Sequence, residues 1–197
     1  LQGNDDFHVE PIIGTYYVSL NLQKEYFQDA RVRKALSLAI DRNYVANTLM
    51  QGTYSPASSI VGPGWLDTDG SSFAENANGG TPYIDNDNFD ANLEEAKKLL
   101  EEAGYPNGEG FPTLTLITQN DQEQKDMAQA MQAMWKDNLG VNAEITTYES
   151  KVYWDEQRNG NFDICYDGWV GDYPDASTNL ECFTLTKNDY QCRWLND

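Results

Sequence analysis

The chain has few of the residues on which most hydrolases and nucleic-acid binders depend. Histidine occurs once, as His8. Ser-His-Asp and Cys-His schemes therefore have no base outside a loose leading segment. The GxSxG elbow, the Walker A loop and the GxGxxG fingerprint are all absent, so neither a hydrolase nucleophile nor a nucleotide cradle is visible. Cysteine is limited to Cys165, Cys182 and Cys192, with no CxxC pair, which argues against a Cys/His zinc site and leaves no metal or cofactor expected. Positive charge is scarce too: 13 Lys and Arg stand against 32 Asp and Glu, for a net charge of −19. Such a field repels nucleic acid and disfavours docking of the protein's body on anionic lipid. Its plainest role is solubility. No uninterrupted apolar run approaches the length of a membrane span. The opening Leu1-Gln-Gly-Asn-Asp-Asp shows no signal peptide, which leaves the compartment open.

Carboxylates are plentiful, yet no spacing singles out two of them as a glycosidase pair. Asp67 and Asp69, and then Asp85, Asp87 and Asp90, invite a calcium reading, but the Gly and terminal Glu of an EF-hand loop are misplaced. Five Trp and twelve Tyr exceed what a minimal core needs, and suit either ligand contact or packing. Cys182 and Cys192 bracket a short Thr-, Asn- and Asp-rich stretch. Two readings stand open: a disulfide-closed loop, stabilising by about 3 kcal/mol on the chain-entropy model, or buried thiols.

Along the chain, residues 1–14 are polar and punctuated by Pro11 and Gly14, and Thr15-Tyr-Tyr-Val-Ser-Leu-Asn21 has strand composition. Asp29 sits as an N-cap before a helical stripe of Val32, Leu36, Leu38, Ala39 and Ile40, and a second helix is expected from Asp41 to Met50, stopped at Gly52. Residues 53–88 read as one long irregular segment rich in Gly, Pro, Ser, Asn and Asp. Leu93, Ala96, Leu99, Leu100 and Ala103 then mark a helix closed by Gly104. Leu114-Thr-Leu-Ile117 reads as a strand, and residues 121–138 as a helix with Met127, Ala130, Met131, Met134 and Trp135 on one face. After Gly140 come a strand over Val141-Asn-Ala-Glu-Ile-Thr-Thr147, a helix over Lys151–Asn159 and a strand over Phe162-Asp-Ile-Cys-Tyr166. This alternation predicts an α/β domain with a largely parallel sheet. Ligands of such sheets sit beyond the carboxyl ends of strands, which directs attention to the segment after Tyr166.

Four phrases carry a family resemblance. They are Asn21 with Phe27-Gln-Asp-Ala-Arg-Val-Arg-Lys-Ala-Leu-Ser-Leu-Ala-Ile-Asp-Arg42 and Gly52; Ala96-Lys-Lys-Leu-Leu-Glu-Glu-Ala-Gly-Tyr105; Trp135-Lys-Asp-Asn-Leu-Gly-Val141; and Gly160-Asn-Phe-Asp-Ile-Cys-Tyr-Asp-Gly-Trp-Val-Gly-Asp-Tyr-Pro-Asp175. In this order they resemble the peptide- and nickel-class solute receptors of ABC importers. The resemblance implies a periplasmic-binding-protein-like lobe with a mostly parallel or mixed sheet flanked by helices. It also implies that residues 15–197 form an incomplete C-terminal (second) lobe behind a hinge-proximal segment, 1–14. It assigns structural roles to Arg31, Arg33 and Asp41, expected in ion pairs.

The resemblance further implies no catalytic residue and no cofactor. Asp172 would receive the α-ammonium of an oligopeptide or dipeptide. Trp169 and Tyr173 would line the cleft, backbone near Gly171 would pair with the extended peptide, and Arg158 would approach acidic ligand groups. Asp175 reads instead as the N-cap of a helix over 176–183. Ala176 stands where the family commonly has proline. The implied partner is an ABC permease/ATPase complex. The implied setting is extracytoplasmic, as a monomer in the periplasm or at the cell surface, held to membrane only by a lipid anchor that this chain does not contain. Alternatives on the same scaffold are a nickel chelate, oligosaccharide or haem cargo, or a peptide-sensing receptor domain; a hydrolase using unrecognised carboxylates is the rival of another class.

Overall fold

The computed structural model describes residues 12–173 and 175–183. Cys192, and with it the Cys182–Cys192 pairing, lies outside them, as does His8. A four-stranded sheet runs in the order β1-β4-β2-β3, with β1 Gly14–Leu20, β2 Leu114–Gln119, β3 Ala143–Tyr148 and β4 Ile164–Val170. β2 pairs in parallel with both β3 and β4. β1 runs antiparallel to β4, from Gly14 opposite Val170 to Leu20 opposite Ile164, so the sheet is mixed. The strand that sequence reading ends at Tyr166 in fact continues to Val170.

Seven helices accompany the sheet among the described residues: α1 Glu25–Gln28, α2 Ala30–Leu38, α3 Phe73–Asn76, α4 Phe89–Glu102, α5 Gln122–Leu139, α6 Ser150–Asn159 and α7 Ser177–Leu180. None of the described helices is long and apolar enough to cross a membrane. Their ends follow side-chain chemistry. Asp29 accepts from the Arg31 N–H at 2.8 Å to start α2, and Asp121 accepts from the Gln124 N–H at 3.1 Å to start α5. Gly140 (φ 71°) and Gly160 (φ 74°) end α5 and α6 in left-handed backbone.

Three expectations change. Tyr44–Leu49 winds as a π-helix, with the Met50 N–H reaching the Val45 carbonyl at 2.9 Å. The α5 stripe is rotated, so Ala128, Met131, Trp135 and Leu139 are the buried positions. Among the described residues, Arg31 alone of the three forms the expected ion pair: it clasps Asp29 and donates to the Glu102 carbonyl, tying α2 to the end of α4. Arg33 donates to the Phe27 and Gln28 carbonyls, while Asp41 accepts from the Tyr44 N–H. Backbone groups orphaned near helix ends are the nearer partners for both.

Side-chain alternation divides the sheet into two faces. Leu114, Leu116, Ile164 and Tyr166 join α2, α4 and α5 in the main core, while Ile117 and Cys165 meet Tyr153 of α6 and Phe162 on the other face. Burial pushes the Cys165 thiol up to about 12, as befits a buried, inert thiol. Val61, Trp65 and Ala176 form a third, satellite cluster. It is built from the long segment after Met50 and the chain after β4.

One buried carboxylate joins the amino ends of these strands. Asp163, 5% exposed, accepts from the Tyr26 hydroxyl at 2.6 Å and the Thr115 N–H at 2.6 Å, and pairs with the Lys24 ammonium at 2.9 Å. Desolvation is the largest single influence and raises its pKa. The Tyr26, Thr115 and Lys24 contacts together outweigh it and hold the carboxyl below its usual range. A lowered folded-state pKa contributes stability that is fully present above the unfolded-state value of about 4 and is lost as pH falls through the folded-state value. Asp163→Ala is expected to cost about 3 kcal/mol at neutral pH by stranding its buried donors. Urea unfolding of Asp163→Asn should show a flatter loss of stability below pH 4 than the wild type does.

Candidate functional site

Because β2, β3 and β4 are parallel, their carboxyl ends share one side of the sheet, and antiparallel β1 brings its first residues there. Trp169 sits near the end of β4, and Gly171, Asp172 and Tyr173 follow it directly. The Gly171 N–H donates to the Ile13 carbonyl at 3.0 Å, extending the β1–β4 ladder by one bond. That N–H is therefore already used within the fold, which leaves the Gly171 carbonyl as the backbone group on offer to an added strand. Thr178, 2% exposed, closes the turn: its hydroxyl oxygen accepts from the Asp172 N–H at 3.1 Å and from the Trp169 indole N–H at 3.1 Å. The Asp172 backbone is thereby fixed while its carboxylate is exposed. No hydrogen bond or ion pair joins that carboxylate to another described residue. Tyr173, 39% exposed, places its hydroxyl 3.2 Å from that of Ser177.

Asp175 accepts from the Ser177 N–H at 2.9 Å and so starts α7. That helix is shorter than expected, giving way to a 3₁₀ turn over Glu181–Phe183. Arg158 stands apart. It lies in the last turn of α6, and α6 runs back from the end of β3 to the start of β4. A crossover helix returns its final turn to the amino ends of the strands, so Arg158 is at the opposite side of the sheet from Asp172. There it pairs with Asp155.

Sequence reasoning missed the residue that buttresses this turn. Trp65, 4% exposed, lies against Gly171 so closely that a Cβ there would meet its ring at 2.4 Å. Its indole N–H is buried with no partner among the described residues. A large aromatic in the loop Val61-Gly-Pro-Gly-Trp65 was the available signal, since such a ring must be buried against something.

Behind the turn, Asp167 is 7% exposed. It accepts from the Gln157 side-chain amide and the Gly168 N–H, both at 2.8 Å. Desolvation dominates those bonds and raises its pKa. The Gln157 amide oxygen has no partner among the described residues. The acidic loop residues form local turns: Asp69 accepts from Ser71 and Asp85 from Asp87 and Asn88. Among the described residues no group of three or more His, Cys, Asp or Glu is placed to hold a metal ion. Cys182 donates its thiol to the Thr178 carbonyl at 3.7 Å.

A family model described as "Bacterial extracellular solute-binding proteins, family 5 Middle" matches residues 1–191. The chain belongs to family 5 of the bacterial extracellular solute-binding proteins. The periplasmic oligopeptide-binding protein OppA of Escherichia coli is 35% identical over 176 residues, covering 89% of this chain and 31% of that protein. Among solved structures, a periplasmic oligopeptide-binding protein of an ABC transporter (OppAIV) from Borrelia burgdorferi superposes with a TM-score of 0.81. It is 33% identical, over 97% of this chain and 35% of that one. The murein tripeptide binding protein MppA of Escherichia coli gives 0.77 at 33% identity, over 94% of this chain and 35% of that one. The chain thus spans about a third of the length of these family 5 relatives.

Two outcomes test the geometry of this family 5 site. Gly171→Ala is expected to destabilise by about 1–3 kcal/mol, because the new methyl overpacks Trp65. The same change in a Trp65→Ala background should cost measurably less, a coupling that denaturant unfolding of the four variants would read. Asp167→Asn should be at least as stable as wild type at pH 7. A carboxyl with a raised folded-state pKa weakens the fold once ionised, so this advantage should shrink as pH falls toward about 4.

Proposed function

We propose that this chain forms one wall of an interlobe cleft that captures an oligopeptide or dipeptide for import by an ABC permease, and that Asp172 is the amine anchor. The observation that carries this reading is the fixed, exposed and unpartnered Asp172 carboxylate at the carboxyl end of β4. A peptide α-ammonium makes a short charge-assisted hydrogen bond with such a group, strengthened when closure of the cleft removes water. Trp169 and Tyr173 offer aromatic surface beside it, and the Gly171 carbonyl offers one backbone acceptor to an extended ligand. Backbone recognition is shared by all peptides, so affinity is combined with loose side-chain selectivity. Arg158 has no place in this site.

The relatives' names support a peptide cargo and a binding role without turnover. Residues 15–197 would act as part of the second lobe of a two-lobed receptor, closing about a hinge near residues 1–14. Ligand would select the closed form through its higher affinity for it. The receptor would work outside the cytoplasm as a monomer, held at the membrane by a lipid anchor.

The test is a thermal-shift titration of the complete protein with a tripeptide and its N-acetylated twin. Only the free-amine peptide is expected to stabilise. Asp172→Asn should weaken its binding about ten- to a hundredfold. Equal response to both peptides would remove Asp172 from the anchor role, and no response across a varied peptide panel would remove peptide as the cargo.

A further inference from the structure

On the sheet face opposite Trp169, the same strand ends carry a second group of side chains that the amine anchor does not use. Tyr16 of β1 stands opposite Gly168, and its ring lies across that glycine: a Cβ at 168 would come within 2.5 Å of it. The ring stacks on Tyr166 at 5.9 Å and 19° and meets Tyr54 edge-on at 5.6 Å and 75°, yet remains 49% exposed. The Tyr54 hydroxyl donates to one oxygen of Glu123 at 2.6 Å, which draws the loop after Met50 onto the first turn of α5. Glu123 is exposed, and its other oxygen has no hydrogen-bond partner among the described residues. Neither Glu123 nor Asp121 beside it forms an ion pair with a described residue, and Lys125, one turn along, is bonded to Asn120 instead.

The Tyr166 hydroxyl is buried without a partner among the described residues, on a side chain only 4% exposed. Burial first, and then the neighbouring Tyr54, Glu123, Tyr16 and Asp121, keep it protonated far above neutral pH. The group is thus an open aromatic ring, a half-engaged carboxylate and a second carboxylate, neither of them ion-paired with a described residue.

We propose that Tyr16, Tyr54 and Glu123 form a subsite for a cationic side chain, the ammonium of lysine or the guanidinium of arginine, of the bound peptide. The proposal rests on the peptide-receptor reading above and names the ligands it favours. A cation over the Tyr16 ring gains from the ring's negative face and from the Glu123 carboxylate together. An anion would meet two carboxylates, and an apolar side chain would desolvate Glu123 with nothing in return. From Gly168 to Asp172 is four residues of chain, roughly 13 Å at strand rise. A peptide held by its amine at Asp172 therefore reaches the subsite with one of its second to fourth side chains.

The experiment is calorimetric titration of the complete protein with free-amine tetra-alanine peptides. Each carries lysine, norleucine or glutamate at position two, three or four. The lysine peptide is expected to bind about tenfold more tightly than its norleucine twin at one position, with glutamate weakest there. Glu123→Gln should abolish that advantage while leaving the norleucine affinity unchanged, which also shows the variant to be folded. Tyr16→Leu should reduce the advantage with the same control. Equal lysine and norleucine affinities at every position, or an advantage that survives Glu123→Gln, would overturn the subsite and leave peptide capture standing. Absence of binding by any of the peptides would overturn both.

Discussion

Asp163 sits where the turn after β1, the start of β2 and the start of β4 converge: it accepts from Asn21, Lys24 and Tyr26 after β1 and from the Thr115 N–H of β2, and its own N–H donates to the Thr115 carbonyl. Asn21, 1% exposed, completes the junction by donating to the Gly160 and Phe162 carbonyls. Removing a partner would leave buried polar groups of this junction without a hydrogen bond. The consequence reaches the far end of the sheet. Anchoring Leu20 opposite Ile164 sets the register of the whole β1–β4 ladder, and a slip of one residue would send every side chain of β1 to the other face. Ile13 reaches Gly171, and Tyr16 covers Gly168, only because that register holds.

The sheet therefore has two ends with opposite chemistries. At the amino ends polar groups are matched and enclosed, and Arg158 belongs to that side. At the carboxyl ends acidic and aromatic groups are left open: Asp172, Tyr173, Tyr16 and Glu123. The long segment after Met50 serves both faces of that open end. It supplies Trp65 beneath Gly171 and Tyr54 beside Tyr16, so an apparently irregular loop is the scaffold of the candidate site. Its own support is the small satellite cluster around Val61, Trp65 and Ala176, separate from the main core.

Much of this was legible in the residues. Asp29, Gly140 and Asp175 act locally, so their capping roles can be read from neighbours in sequence, and the stretch ending Asp-Tyr-Pro-Asp175 pointed to the turn beyond β4. What was not legible depends on contacts distant in sequence. Nothing local shows why positions 168 and 171 are glycine: each is small because an aromatic ring from another segment, Tyr16 or Trp65, lies on it. The antiparallel sense of β1 is set by Asn21 meeting residues about 140 positions away, which no local periodicity encodes. Arg158 is expected near acidic ligand groups, but the direction of its helix puts it at the amino ends of the strands. The π-wound turn at Tyr44–Leu49 keeps the apolar spacing of a helix, so pattern alone does not separate it from one.

Asp167 and Asp172 are five positions apart on one segment, and their surroundings give them opposite work. Asp167 is enclosed between Gln157 and Gly168, where desolvation disfavours its charge. Asp172 is held by its backbone and offered to solvent by its side chain, so its charge is stabilised by water until a ligand cation displaces that water. The net charge of −19 extends the same asymmetry outward: it raises the local concentration of cations and speeds their encounter, an effect that falls as salt screens it within about 10 Å. Long-range attraction of this kind cannot tell a terminal amine from a lysine side chain. On the proposed reading that discrimination is made at contact, where Thr178 holds the Asp172 backbone and the Tyr16 ring meets Tyr54, which is bonded to Glu123. On that reading two carboxylates, Asp172 for the terminal amine and Glu123 for a cationic side chain, favour a ligand with two positive charges, with little demand on the side chains between them.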